Sequence, residues 1–243
     1  MKRADFLESL TQRIVGTQPD GIVRIAITGV DGAGKTRLAD ELAPLVGAYR
    51  PVIRASIDGF HNPRAIRHAR GRTSPEGFFR DSFNMGLFRA MLLDPLAPGG
   101  SGLYRPVAYD HRVDGAVEVP EQQAPADAVL LVDGIFLQRD ELIDAWDLTV
   151  FLELPFAQSF ARMAVRDGSP EDENAAINQR YREGQKLYFA ECQPQARADV
   201  LVDYADLDAP RIVRDSGGTP SWRVQLAGGW AISSQTLPSV SSK

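Results

Sequence analysis

Apolar positions divide the first half of the chain into short, distinct elements. Phe6, Leu7, Leu10 and Ile14 recur at helical spacing, which predicts a short amphipathic helix at the start. VRIAIT (Val23 to Thr28) is brief, apolar and β-branched, the pattern of a buried strand. Leu38, Leu42 and Leu45 then predict a helix over Thr36 to Val46, and Val52 to Ser56 predicts a second strand. From Asp58 to about Asp81 the chain is polar and carries Pro63, Gly71, Pro75 and Gly77, which predicts a long functional loop. Phe83 to Leu93 is expected to be helical, ended by PLAPGGSG.

Further strands are expected at Ala128 to Val132, Leu148 to Leu154 and Ala198 to Val202. Helical patterns fill Phe156 to Asp167 and Ala175 to Cys192. Strands that alternate with helices indicate a parallel sheet covered on both faces. After about Arg214 the sequence turns Ser- and Gly-rich, with Trp222 and Trp230 isolated. Residues 214–243 therefore read as a poorly ordered tail; the competing reading docks those tryptophans on the domain or a second subunit.

Composition narrows the classes further. The chain has 243 residues, 44% hydrophobic and 24% charged, which excludes collagen-like, coiled-coil or largely disordered chains. A net charge of −5 makes it a poor generic binder of nucleic acid or anionic membrane, so any bound anion must meet a local positive site. Cys192 is the only cysteine, and His61, His68 and His111 lack metal-site spacing. No apolar run reaches the roughly 18 residues of a membrane span, and the N-terminus has no signal-peptide pattern. The expected setting is cytoplasmic, with no nucleic acid and no membrane as partners and a homo-oligomer left open.

The strongest local signal is GVDGAGKT: Gly29, Val30, Asp31, Gly32, Ala33, Gly34, Lys35 and Thr36. It fits G-x-x-x-x-G-K-[ST] and lies between a predicted strand and a predicted helix, as the motif requires. The glycines let successive backbone N–H groups face one anion, and the helix start adds a positive dipole end. Lys35 is expected to reach the β- and γ-phosphates of ATP, and the Thr36 hydroxyl to ligate Mg²⁺. Asp133, ending the apolar run VLLVD, is the candidate second metal ligand; a turn-capping aspartate is the alternative. Asp58 follows the second strand, where a carboxylate can take the proton of an attacking hydroxyl. On residue type alone, Asp58-Gly59 reads first as a turn.

GVDGAGKT, IDGFH, PVAYDHR, VDGIF, an Arg-Asp helix and ADVLVD occur in that order. From about Ile22 to about Ile212 the chain thereby resembles the uridine kinase and phosphoribulokinase group of P-loop kinases, and most closely the uridine kinase-like bacterial proteins. The resemblance implies an α/β P-loop NTPase fold, three layers α/β/α around a mainly parallel sheet. It implies that Asp58 activates the acceptor, that His61 lies next to it, and that Asp81 binds sugar hydroxyls. Tyr109 and His111 resemble an acceptor-contacting loop, and Arg162 and Arg166 resemble lid arginines that clamp the transferring phosphate.

Three departures stand out. His61 replaces the group's usual Tyr, Asp133 its more frequent Glu, and GSPEDEN after Asp167 lacks the usual Arg-Gly, so that Arg180 or Arg182 is expected to complete the clamp.

The expected organisation is a helix over 1–20 and a kinase domain over 21–213, with an acceptor region at 58–115 and a lid at about 162–182. The expected activity is ATP-dependent phosphorylation of a hydroxyl, first of a uridine- or cytidine-like nucleoside. Other small-molecule acceptors are a sugar, a sugar phosphate or a pantothenate-like compound. A nucleotide-binding regulator without an acceptor is the reading from another class. The basic segment Pro63 to Arg72 (Arg64, Arg67, His68, Arg70, Arg72) reads either as a loop closing over a phosphorylated ligand or as solvated surface.

Overall fold

The computed structural model describes residues 1–17 and 21–217, so the tail beyond 217, with Trp222 and Trp230, lies outside the described residues. Helix α1 spans Arg3–Val15. Strand β1 (Val23–Gly29) leads into α2 (Lys35–Gly47), and β2 spans Val52–Ser56. A 3₁₀ turn, Ile57–Phe60, precedes α3 (Arg64–Arg67), α4 (Pro75–Asp81) and α5 (Met85–Phe88). The two-residue strands β3 (Leu103–Tyr104) and β6 (Gln122–Gln123) pair antiparallel, as do β4 (Tyr109–Asp110) and β5 (Gly115–Ala116). Then come β7 (Val129–Asp133), β8 (Leu148–Glu153), α6 (Phe156–Asp167), α7 (Ala176–Cys192), α8 (Pro194–Arg197), β9 (Val200–Asp203) and β10 (Arg211–Asp215).

The main sheet has the order β10-β9-β8-β1-β7-β2. All its pairs are parallel except β10 against β9. β1 lies inside the sheet, and all seven of its residues are buried. Its side chains alternate between the faces: Ile25 and Ile27 join a core with Phe6, Leu10, Leu38 and Leu42, while Ala26 joins the opposite core with Phe78, Phe79, Phe88 and Tyr188. Burial on both faces is why the strand reads as largely apolar rather than as an alternation, with Arg24 the one charged residue, paired with Asp147 at 3.2 Å. The fold is a three-layer α/β/α arrangement around a mainly parallel sheet.

Two expectations need correction, and one strand had no counterpart among them. The polar stretch 58–81 is not a continuous loop. Ser74 accepts a hydrogen bond from the Gly77 N–H, Pro75 occupies the first turn, and α4 buries Phe78 and Phe79. A helix of two turns has too few apolar positions to announce a period. The segment expected as one helix from Phe83 starts at Met85 and passes into a π turn at Arg89–Leu93, while Phe83 instead bridges to His61. The antiparallel edge strand β10 went unforeseen because it is mostly solvent-facing and has no apolar run.

Candidate active site

Strand register assembles the site. Ile27 of β1 is level with Asp133 of β7, and Ser56 of β2 is level with Asp133 from the other side. The chain leaves β1, β2 and β7 just beyond these positions. The glycine loop, the turn bearing Asp58, and Asp133 therefore share the carboxyl edge of the parallel sheet, where open α/β sheets bind ligands.

The loop is held from outside. The Asp31 N–H donates to Gln185 Oε1 of α7 at 2.8 Å, and the Ser159 hydroxyl of α6 donates to the Asp31 carbonyl. Gly32 has φ +66°, and a Cβ there would sit 2.6 Å from the Ser159 carbonyl oxygen. Only glycine gives both this backbone turn and this close approach. Gly34 (φ +91°) then caps the N-terminus of α2.

Lys35 is 9% exposed, and its Nζ donates to the Val30 carbonyl at 2.8 Å. It makes no ion pair among the described residues, so its charge is buried without a counter-ion in contact. Burial pushes its pKa down, opposed by the fields of Asp31, Asp58 and Asp133. A buried, unpaired ammonium inside a ring of backbone curvature fits a phosphate chain.

Thr36 Oγ1 donates to Asp133 Oδ2 at 2.6 Å, and Asp133 Oδ1 accepts from Arg54 at 2.9 Å. The hydroxyl and carboxylate oxygens are hard donors of the kind Mg²⁺ takes together with substrate phosphates. Among the described residues no cluster of three or more His, Cys, Asp or Glu side chains could hold a metal alone.

Two cavities meet here. One, about 260 Å³, is lined by the glycine loop, Lys35, Thr36 and Asp133. The other, about 300 Å³, is lined by His61, Phe83, His111, Arg67, His68 and Arg180, among others. Asp31, Asp58, Ile135 and Arg166 line both. Asp58 is an exposed carboxylate whose side-chain oxygens make no hydrogen bond among the described residues. It also lines a third pocket with Tyr109 and His111.

His61 Nδ1 lies 2.8 Å from the Asp58 carbonyl oxygen. A carbonyl only accepts, so Nδ1 carries the proton. The His61 ring is 4.5 Å from both the Phe83 and His111 rings, and burial pushes its pKa down.

The other sequence candidates divide between the site and its surroundings. Asp81 lines none of these cavities, and its carboxylate is held by Arg70 at 2.8 Å. Tyr109 donates its hydroxyl to Asp114 Oδ1 at 2.8 Å, beside the third pocket. Arg162 and Arg166 do not point the same way. Arg162 donates to the Tyr204 and Ala205 carbonyls at 3.0 and 2.8 Å and lines neither main cavity. Arg166 lines both and pairs with Asp167 at 2.6 Å. The i, i+4 spacing sets the face of α6 but not where each guanidinium finds acceptors. Of Arg180 and Arg182, only Arg180 reaches a cavity; Arg182 is turned to Glu183 and Asn174.

Arg54, Ser159 and Gln185 escaped sequence reasoning. Arg54, a charged residue inside the half-buried edge strand β2, was the one with a readable signal. The other two are ordinary helix residues until the loop packs on them.

This chain has the fold of the P-loop kinases. Its structural neighbours are uridine kinase-like proteins and related kinases. A candidate uridine kinase from Bacillus stearothermophilus superposes with a TM-score of 0.65 at 23% identity, covering 82% of this chain and 97% of that one. A candidate fructose transport system kinase from Silicibacter sp. TM1040 gives 0.58 at 25% identity, covering 82% and 95%. D-glycerate 3-kinase from Cryptococcus neoformans var. grubii gives 0.56 at 13%, covering 86% and 97%. No family model matches the chain. No helix among the described residues is long and apolar enough to cross a membrane.

Proposed function

We propose that the protein is a small-molecule kinase that transfers the γ-phosphate of ATP to an alcohol. The observation that carries this reading is the position of Asp58: one unpaired carboxylate lines both the glycine-loop cavity and the cavity next to it. A nucleotide-binding regulator has no use for that second cavity.

In this reading the backbone N–H groups of Gly29 to Thr36 and the Lys35 ammonium hold the triphosphate, and Thr36 and Asp133 hold Mg²⁺. The metal, when bound, offsets charge on the β- and γ-oxygens. Asp58 accepts the proton of the acceptor hydroxyl as its oxygen bonds to the γ-phosphorus and the bond to the β-phosphate oxygen breaks, releasing ADP. Arg166 offsets charge on the transferring group. Closure of the segment around 162–182 over the acceptor region 58–115 would keep water from the phosphoryl group.

The resemblance to uridine kinases favours a uridine- or cytidine-like nucleoside, with His61 and His111 beside it. The arginines of the second cavity favour another acceptor, such as a sugar phosphate. The test is ADP release with and without acceptors. Stimulation by an alcohol supports a kinase; ATP binding with slow hydrolysis that no acceptor stimulates supports a regulator.

A further inference from the structure

The second cavity is lined by three arginines, Arg67, Arg166 and Arg180, and three carboxylates, Asp31, Asp58 and Asp167, but the charges are not all matched in contact. Arg166 is matched by Asp167, and Arg67 lies 3.4 Å from Asp114 while also donating to the Asn62 carbonyl at 2.8 Å. Arg180 has no carboxylate partner among the described residues. One terminal nitrogen donates to the Arg72 carbonyl at 2.7 Å, and its Nε is buried with no hydrogen-bond partner. The guanidinium lies over the rings of Phe78 and Tyr181, 5.6 and 5.4 Å from their centroids. Two donor-bearing nitrogens of a fixed planar fork are thus left without protein acceptors. His68, lining the same cavity, is held below the ordinary histidine pKa by burial and then by the fields of Arg180, Arg67, Arg72 and Arg64.

The fold explains why Arg180 is there. Gly184 sits one turn further along α7, and a Cβ on it would be 2.7 Å from the Pro75 carbonyl oxygen and 2.8 Å from Phe78 Cδ1. Its missing side chain lets α7 close onto α4. The same helical face then carries Arg180, four residues earlier, over Phe78. Arg67 and His68 arrive from α3 and the residue after it. Arg67, His68 and Arg180 line the second cavity but not the glycine-loop cavity, so they belong to the part that Lys35 and Thr36 do not reach. Arg180 is half-buried with its Nε fully shielded, and its planar fork matches carboxylate and phosphate oxygens.

We infer that the acceptor is an anionic alcohol, a phosphorylated or carboxylated hydroxy compound whose negative group is bound by Arg180 with Arg67 and His68 while its hydroxyl faces Asp58. This deepens the kinase reading and rests on it. A neutral nucleoside would leave the arginine fork unmatched.

The test is ADP release with matched pairs of acceptors: ribose and ribose 5-phosphate, fructose and fructose 6-phosphate, glycerol and glycerate, with uridine and cytidine alongside. The inference expects the charged member of at least one pair to have a kcat/KM tenfold or more above its neutral partner and above both nucleosides. The phosphate and carboxylate pairs distinguish the two kinds of anion. For that acceptor, Arg180→Gln should raise KM tenfold or more with a smaller change in kcat, and Arg180→Lys should recover part of the loss. Higher kcat/KM for a neutral acceptor overturns the inference and leaves the kinase standing. An equal loss in kcat with KM unmoved overturns the assignment to Arg180. Bound ATP with no stimulation by any compound overturns the kinase reading as well.

Discussion

The Thr36 hydroxyl donates to Asp133 Oδ2 at 2.6 Å, joining the first turn of α2 to the end of β7 across 97 positions of sequence. Arg54 holds the other oxygen of Asp133 at 2.9 Å, so the carboxylate is fixed from both sides. If these oxygens are the metal ligands, Thr36→Val and Asp133→Asn should each raise the Mg²⁺ concentration for half-maximal ADP release by about tenfold or more. The magnesium titration of each variant checks this, with circular dichroism to confirm folding.

Lys35 lies in the loop for a ligand, at a cost to the free protein. Its folded pKa is lowered by burial from the ordinary lysine value of 10.5. The folded state therefore binds its proton less readily than the unfolded state does. The resulting destabilisation is present in full below the folded pKa and fades as pH rises towards the ordinary value. Nucleotide-free Lys35→Met should thus melt no lower than the wild type at neutral pH, with each kcal/mol of relief raising Tm by about 2–4 °C. Added Mg-ATP should stabilise the wild type and not the variant. Thermal melts with and without nucleotide read both effects.

The two arginines of α6 should separate. Arg166→Ala should lower kcat by about 10- to 1,000-fold with little loss of stability, because its partner Asp167 is a surface neighbour. Arg162→Ala leaves the Tyr204 and Ala205 carbonyls without their donor, so its main effect should be a Tm several degrees lower. Steady-state kinetics and melts on the two variants decide it.

Gly184→Val should push α7 from α4, since the new Cβ meets the Pro75 backbone. Overpacking of this kind costs about 1–3 kcal/mol, readable as a lower urea midpoint.

The layers of this fold were legible in the sequence because the central strands buried on both faces carry short apolar runs, Ile25 to Ile27 in β1 and Val129 to Val132 in β7. The glycine loop was legible because backbone curvature demands glycine at fixed positions. The second cavity was less so. α4 is too short to show a period, and whether Arg180 or Arg182 faces inward depends on the packing of α7 at Gly184. Arg162 follows the same logic: sequence spacing sets its helix face, but its acceptors are the Tyr204 and Ala205 carbonyls beyond β9 and, at 3.4 Å, the Ala33 carbonyl of the glycine loop.

The central claim is that Asp58 serves an acceptor hydroxyl at the meeting point of the two cavities. The most direct measurement is acceptor-stimulated ADP release by Asp58→Asn, with Mg-ATP binding measured on the same sample. The account predicts unchanged ATP binding and a stimulated rate lower by about 10²- to 10⁴-fold. Stimulated release near the wild-type rate would contradict it.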